Sequence, residues 1–331
     1  MAVADPVLDS AILASMNEDG DYIASFVFPP CVPEKISENP GTGEYSFTYY
    51  KVDQRNVQGA RGKSLVWAPG TSPTPISVSM SDRTGTAKRY GVKVPLPNTS
   101  VDGFLDRGLD DVDRDLVIGA CTQSLLIDME QRAYAKVAAL STNGLTRSGT
   151  SLWTNDASEP LDQLKDAFDS IKKKSNLRAR RLALGKADFD ALANHPSIAG
   201  LLPSDVYGVV DANALSAIIS AKLYGYRVTE TDDARPVIEV RIGSAAYDAA
   251  AEGLASSEAY VWGSRSILLA TPEEMPNGYV DLRSPGASRS FEAMPLTTKT
   301  YTDDDTEVVS TRVAHAQGFE FTDEGAAYYF A

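Results

Sequence analysis

Residues 110–140 read DDVDRDLVIGACTQSLLIDMEQRAYAKVAAL, and this stretch decides how the rest of the chain can be arranged. No proline interrupts it. Apolar side chains recur at spacings of four, seven, seven and three residues: Leu116, Ala120, Ile127, Tyr134 and Val137. This spacing predicts one helix, which at 1.5 Å per residue would span about 46 Å. Because compact domains seldom need so long a helix, we expect the other elements to be laid along it.

The chain that follows alternates between helical and strand patterns. SEPLDQLKDAFDSIKKK at 158–174 predicts a helix with Pro160 in its first turn and three lysines at its negative end. RRLALG at 180–185 predicts a short strand, and KADFDALANHP at 186–196 a short helix that proline ends. The stretch 209–233 predicts a strand, a helix and a second strand, which favours a compact α/β unit over 180–289. Strands return after Pro295 in TTKTY, EVVSTRVA and GFEFT.

The residues before the long helix predict an arm and a β-rich excursion. Residues 5–16 have the spacing of a short amphipathic helix, and YIASFVFPPCVP at 22–33 is predicted to be extended. YSFTYYKV at 45–52, ISVSM at 76–80 and KRYGVKVPLP at 88–97 are predicted strands of a long hairpin. The loop between them, VQGARGKSLVWAPGTSPTP at 57–75, carries Trp67 with little nearby against which to bury its ring.

Charge is distributed unevenly along the chain. The net charge of −14 argues against a general nucleic-acid binder, because phosphate binding depends on clustered Lys and Arg. Residues 41–95 nevertheless hold eight basic and three acidic residues, a net charge of +5, so the remainder carries −19. The approach to the long helix, VDGFLDRGLDDVDRD at 101–115, is rich in aspartate. Acids at a helix start complement its dipole, which accounts for about half of them.

Residue patterns typical of catalysis are absent from the sequence. Cys31 and Cys121 have no CxxC spacing and are predicted to be buried free thiols, while His195 and His315 lie in unrelated segments. No GxSxG elbow, phosphate loop or dinucleotide fingerprint occurs. The sequence therefore predicts no enzyme and no cofactor. The apolar runs are too short to span a bilayer and residues 1–16 lack the basic start of a secretory signal, which predicts a cytoplasmically made protein with no membrane partner.

The order of the parts resembles the tailed-phage major capsid proteins of the Hong Kong 97-like fold. Local phrases share the resemblance: SFVFPPCVPEK, DASEPLDQLKDAFDSIKKKSN, LALGKADFDALANHPSI, EVRIGSAAYDAA and AYVWGSRSILLA. The resemblance implies an α+β fold with an N-terminal arm at 1–40 and an extended E-loop at 41–98. It further implies a peripheral (P) domain with the spine helix at 99–179, an axial (A) domain at 180–289 and returning P-domain strands at 290–331.

The resemblance also implies a structural function. Many copies would form pentamers and hexamers that close into an icosahedral head shell in the host cytoplasm, become part of the virion and enclose double-stranded DNA without reading its sequence. Portal, scaffolding and decoration proteins are expected partners. Because only residues 1–40 precede the E-loop, the scaffold is expected to be a separate protein or absent.

Two surfaces are predicted to make the contacts between subunits. The E-loop would lie across a neighbouring subunit through Arg55, Arg61, Lys63 and Trp67. The acidic entry to the spine helix, Asp110, Asp111 and Asp113, would complement basic loops. Two alternatives stay open: an encapsulin-type shell of the same fold with protein cargo, and a metal-dependent enzyme in which these three aspartates bind a cation.

Overall fold

The computed structural model describes residues 3–4, 22–39, 41–52, 80–97, 110–201, 210–224, 237–250, 254–272, 275, 278–282, 284–303 and 308–331. The α-helices in this part of the chain are α1 Ala24–Val27, α2 Asp110–Ala138, α3 Pro160–Ser175, α4 Lys186–Asn194, α5 Pro196–Ala199 and α6 Ala212–Tyr224. Its strands are β1 Val3–Ala4, β2 Pro30–Cys31, β3 Ile36–Asn39, β4 Glu44–Val52, β5 Met80–Pro97, β6 Gly144–Leu145, β7 Arg181–Gly185, β8 Glu239–Gly243, β9 Ala246–Asp248, β10 Glu258–Tyr260, β11 Ser266–Leu269, β12 Ser288–Asp303, β13 Val308–Phe321 and β14 Ala327–Phe330.

A seven-stranded sheet joins the two ends of the chain. Its order is β1-β12-β13-β5-β4-β3, with β2 pairing in parallel with β12. The first part of β5, residues 80–87, pairs with β4, from Tyr45 opposite Ala87 to Val52 opposite Met80. The second part, residues 88–97, pairs with β13. The predicted hairpin is therefore confirmed for these strands. Its base is continuous with the C-terminal strands, which gives the ribbon a support that two strands alone would lack.

A five-stranded sheet forms the second layer. Its order is β6-β14-β11-β7-β8, in which β11 runs antiparallel to both neighbours and β7 runs parallel to β8. Helices α3 and α6 contact each other, and they contact β14 and β8 respectively. This sheet contains strands from three of the predicted domains, 99–179, 180–289 and 290–331. The pairing of its strands therefore does not separate these domains from one another. The domain division stays a prediction.

The long helix is confirmed: α2 has 29 residues, about 43 Å. The residues whose spacing indicated it are not all buried, because Val137 is buried, Ile127 and Tyr134 are half-buried and Ala120 is exposed. The side chain of Leu116 lies outside the described residues. The buried face comprises Cys121, Thr122, Leu125, Leu126, Met129, Glu130, Ala133 and Val137.

This buried face is wide because α2 packs against two cores. Leu126 and Met129 belong to the main core, while Cys121 and Leu125 pack on Val313 of β13. Adjacent positions are therefore buried together, and two of them, Thr122 and Glu130, are polar. Apolar spacing in the sequence does not identify this buried face of α2, because the face is wide and includes polar residues.

The other predictions have mixed outcomes. α3 begins at Pro160, as predicted, and buries Leu161, Leu164 and Ile171. The strand at 181–185 and the helices at 186–194 and 212–224 are also confirmed. Residues 24–27 form a helical turn, so the wholly extended 22–33 segment is wrong. Its Ala24, Phe26 and Val27 are buried, and this burial favours the turn. Residues 5–16 and the strand predicted after α6 lie outside the described residues.

The predicted C-terminal strands are longer than the sequence pattern indicated. Residues 308–314 and 318–321 of these two predicted segments belong to a single strand, β13, which Gly318 does not interrupt. A side chain at Gly318 would meet the Thr86 carbonyl of β5, since its Cβ would lie 2.5 Å from that oxygen. Glycine therefore permits a close approach of two strands here and does not mark a turn.

The main core contains a buried ion pair beside its largest side chains. Arg147, in the segment that follows α2, lies 2.8 Å from Asp188 of α4, and both are almost fully buried. The Arg147 guanidinium lies 4.2 Å from the ring centroid of Trp153, which is itself buried. Ser266 of β11 donates to the same carboxylate at 2.5 Å. Removing either charged partner would leave the other buried and uncompensated, so the pair fixes how these segments meet.

Candidate assembly interface

None of the seven side chains predicted to contact other subunits is among those that the structure describes. Arg55, Arg61, Lys63 and Trp67 lie outside the described residues, together with the rest of the 57–75 loop. Asp110, Asp111 and Asp113 stand in the first turn of α2, where the described structure covers the backbone and not these side chains. The structure does describe the elements that carry both predicted surfaces. These are β4 and β5, which we call the ribbon stem, and α2, the predicted spine helix.

The ribbon stem is anchored by aromatic packing. Phe47 of β4 stacks on Phe291 of β12 with ring centroids 4.3 Å apart, and Tyr49 lies 5.3 Å from the same ring. Opposite Phe47 stands Gly85, where a Cβ would lie 2.4 Å from the Phe47 ring. The aromatic ring therefore covers the glycine of the partner strand. The ribbon stem has its own small core, which Cys31 and Ala87 also help to form.

One arginine ties the ribbon stem to the spine helix. The guanidinium of Arg132 in α2 lies 3.6 Å from the ring centroid of Tyr90 in β5 and 5.6 Å from that of Phe319 in β13. Asp128, one turn earlier, accepts a hydrogen bond from Arg132 Nε at 2.8 Å. A guanidinium held between two rings and a carboxylate has little freedom to turn. Arg132 therefore helps to set the angle between the helix and the strands.

A neutral histidine completes this contact. His315 of β13 is buried, and its Nε2 lies 3.0 Å from Arg132 Nη2. Burial, followed by the positive charge of Arg132, lowers the pKa of His315 to about 4. At neutral pH its Nε2 is therefore an acceptor for the arginine. Both histidines have structural positions, since His195 is also buried and its Nδ1 accepts from the Ser197 backbone N–H at 3.2 Å.

A buried carboxyl group joins α2 to the start of the described chain. Glu130 accepts from the Ala24 backbone N–H at 2.6 Å and from Trp262 Nε1 at 2.5 Å. Burial raises the pKa of Glu130 from 4.5 to about 7, although both hydrogen bonds act in the opposite direction. Through this side chain the spine helix holds α1, which lies within the predicted N-terminal arm at 1–40, and the segment before β11.

The described residues hold neither a cluster of metal ligands nor a membrane-spanning helix. Within them, no group of three or more His, Cys, Asp or Glu side chains lies close enough together to hold a metal ion. The three aspartates of the metal hypothesis are not among these residues, because the structure describes their backbone and not their side chains. No helix in the described part of the chain combines the length and apolar character needed to cross a membrane. Cys31 and Cys121 are buried free thiols, as predicted.

Three important side chains escaped the sequence analysis: Glu130, Arg132 and His315. The spacing of Asp128 and Arg132, four residues apart on a predicted helix, was an available signal for an ion pair. No such signal marks His315, because its partner is 183 residues away in the chain. Glu130 and its partners Ala24 and Trp262 are likewise separated by more than 100 residues.

Comparison with known sequences gives one informative relative. The major capsid protein of Pseudomonas phage JBD67 is 27% identical over 202 residues, which are 59% of this chain and 58% of that protein. The chain thus matches a little more than half the length of this curated relative. No protein-family model matches.

Solved structures match over nearly the whole chain. A phage-related protein from Bordetella bronchiseptica RB50 has a TM-score of 0.65 at 16% identity, covering 100% of this chain and 97% of that one. A virus-like particle from Pyrococcus furiosus has a TM-score of 0.55 at 13% identity, covering 98% of both chains. The capsid of Cyanophage P-SCSP1u has a TM-score of 0.50 at 13% identity, covering 92% and 86%. The resemblance found in the sequence is therefore confirmed, and the chain has the α+β, Hong Kong 97-like fold of phage capsid proteins.

Proposed function

We propose that this protein is the major capsid protein of a tailed phage, a structural subunit without enzymatic activity. The observation that carries the proposal is the sequence match to the JBD67 major capsid protein, and the whole-chain fold similarity supports it. In this proposal many copies form pentamers and hexamers of an icosahedral head shell, which assembles in the host cytoplasm and encloses double-stranded DNA. Portal, scaffolding and decoration proteins are its proposed partners.

The proposed contacts between subunits use both predicted surfaces. The E-loop residues Arg55, Arg61, Lys63 and Trp67 would lie on a neighbouring copy, and Asp110, Asp111 and Asp113 would face basic groups. The anchored ribbon stem supports this arrangement: Phe47 and Phe291 hold its base and Arg132 fixes its direction, so an arm that reaches outward loses less entropy on binding.

Sedimentation velocity and electron microscopy of the purified protein, alone and with its head-assembly partners, test the proposal. Closed particles of uniform size are expected without any added cofactor. A chain that stays monomeric at high concentration with every assembly partner present would contradict the proposal. Particles isolated from infected cells should contain nuclease-protected double-stranded DNA. Protein cargo in place of DNA would favour the encapsulin-type alternative.

A further inference from the structure

A cavity of about 130 Å³ lies between α2 and the seven-stranded sheet. Its walls are mostly apolar: Leu125, Leu126 and Met129 of α2 stand on one side, and Met294 and Leu296 of β12 on the other. An engineered cavity of about 150 Å³ with apolar walls binds benzene, so a cavity of this size has room for a molecule of about five or six non-hydrogen atoms.

Two irregularities in β12 border this cavity. Glu292 is opposite Gln317 and Thr297 is opposite Ala314, so five steps along β12 match only three steps along β13. β12 therefore holds two extra residues in this stretch, which also contains Pro295, a residue without an N–H group for the ladder. Extra residues bend a strand and re-aim its side chains. The cavity is thus a feature of how this strand is built.

A carboxyl group without a counter-ion borders the cavity. Glu292 is half-buried and accepts a hydrogen bond from the hydroxyl group of Tyr279 at 3.0 Å. It forms no ion pair with any residue that the structure describes. Burial raises the pKa of Glu292, although the hydrogen bond from Tyr279 acts in the opposite direction. The ionised carboxylate is therefore costly at this position, and a cation beside it would lower that cost.

Gln317 adds a second hydrogen-bond acceptor to the lining. Because Gln317 is directly opposite Glu292, the two side chains point to the same face of the sheet, with Cβ atoms about 5 Å apart. The Gln317 Nε2 donates to Ser290 Oγ, whereas its Oε1 is buried and accepts no hydrogen bond from the part of the chain that the structure describes. A donor placed in the cavity would satisfy this oxygen.

The described residues that line the cavity include no lysine or arginine. His315 lines it in the neutral form, because burial and the charge of Arg132 lower its pKa to about 4. Arg132, which donates to His315 Nε2, has its own carboxylate partner in Asp128 at 2.8 Å. The lining therefore offers a carboxylate and an amide oxygen, and it supplies no cation to them.

We propose that this cavity binds a small primary alkylammonium ion, whose ammonium group donates to Glu292 and Gln317 Oε1 and whose alkyl chain lies against the apolar walls. An ammonium group has three donors, so it serves both acceptors at once. A hard divalent cation takes roughly six or more oxygen ligands, which a mostly apolar lining does not offer. A neutral alcohol would fill the volume but leave the carboxylate without a counter-ion. The site goes beyond the proposed shell function and does not depend on it.

Three probes of similar length test the site in isothermal titration calorimetry of the purified protein at pH 8. They are n-butylamine, which is protonated at this pH, 1-butanol and butyrate. Butylammonium should bind at least about tenfold more tightly than 1-butanol, because hydrogen bonds to charged groups are stronger than those between neutral groups. Butyrate should not bind, because Glu292 repels it. Equal affinities for butylamine and 1-butanol, or no binding of butylamine, would overturn the proposal.

The variant E292Q isolates the charge. Glutamine keeps the size of the side chain and can still accept from Tyr279, so the circular dichroism spectrum should be unchanged. The affinity for butylammonium should fall at least about tenfold, while that for 1-butanol should stay the same. E258Q, at an exposed position of β10, is the matched control and should bind both probes like the wild type. A folded E292Q protein that binds butylammonium as tightly as the wild type would refute the site.

Nuclear magnetic resonance of the unaltered protein locates the bound probe. The chain has six methionines, of which Met129 and Met294 line the cavity. With ¹³C-labelled methionine methyl groups, addition of butylamine should shift the signals of these two residues in a saturable way. Shifts confined to the other methionines, or no shift at all, would show that the amine binds elsewhere or not at all and would count against the proposal.

Discussion

Glu130 shows how one buried residue gives this fold a dependence on pH. In the unfolded chain its carboxyl group ionises near pH 4.5, whereas the folded protein retains the proton until about pH 7. Between these values the folded state binds more protons than the unfolded state. The contribution of Glu130 to the free energy of unfolding is therefore greatest below pH 4.5 and falls as the pH rises to 7, by about 3 kcal/mol in all.

The variant E130Q tests this dependence. Glutamine cannot ionise, but its single oxygen can accept from only one of the Ala24 and Trp262 N–H groups. E130Q should therefore be less stable than the wild type at pH 4.5, and the difference should shift in its favour as the pH rises to 8. Urea unfolding at several pH values measures both. The exposed-site variant E258Q should show no such shift, and parallel curves for E130Q and the wild type would contradict the assigned burial.

Gly85 gives a second prediction for a single residue. A methyl group at this position would lie 2.4 Å from the Phe47 ring, which is stacked on Phe291 and cannot move without loosening the ribbon stem. G85A should lower the free energy of unfolding by about 1–3 kcal/mol. G119A is the control: nothing lies within 4 Å of that site in α2, so alanine should stabilise the helix by about 0.5–1 kcal/mol. Equal stability of G85A and the wild type would contradict the close packing.

For the secondary-structure elements, the contact between the spine helix and the ribbon depends on Arg132. R132A removes its stacking on Tyr90 and its hydrogen bonds to Asp128 and His315, and should cost about 2 kcal/mol of unfolding free energy. K136A, one turn further along α2, removes only the exposed ion pair with Glu320 and should cost about 0.5 kcal/mol or less.

The charge-conserving variant separates two explanations of this contact. R132K keeps the positive charge but lacks the planar group that stacks between Tyr90 and Phe319, so it should retain only part of the stability. Full stability in R132K would show that charge alone suffices. Urea unfolding of all three variants provides the comparison, and equal losses in R132A and K136A would contradict the role of Arg132.

For the whole molecule, the 57–75 loop distinguishes folding from assembly. The loop is predicted to be an excursion from its own domain, and a surface excursion contributes little to the core of the domain that carries it. Replacing residues 57–75 with a short Gly-Ser turn should therefore leave a folded, soluble subunit that fails to form shells. Circular dichroism and sedimentation measure the two outcomes. An unfolded monomer would show that the loop belongs to its own subunit's core.

Two further variants show what the loop contributes. A Gly-Ser segment of the original length keeps the reach of the loop but not its side chains, and should also fail to assemble. W67A should weaken shells because an aromatic ring at an interface often supplies much of its binding energy. Raising the salt concentration should weaken contacts made by Arg55, Arg61 and Lys63 more than that of Trp67, since only charged contacts are screened. Normal shells from all these variants would contradict an intersubunit role.

The sequence by itself determined the elements and their order. α2 and α3 were predictable because apolar spacing, Pro160 and the absence of interrupting prolines are local signals, and β4 was predictable from its aromatic and β-branched content. The order of these elements along the chain was enough to suggest the Hong Kong 97-like fold. Local physics, which depends on residues a few positions apart, carries this information.

Only the tertiary structure decided which faces are buried and which distant side chains meet. The wide buried face of α2 follows from two cores that come together in space, so the apolar spacing through Ala120 and Ile127 indicates the helix but not its buried face. Glu130 and Arg132 find partners more than 100 residues away in the chain. These contacts depend on chain segments brought together by folding, and no local spacing encodes them.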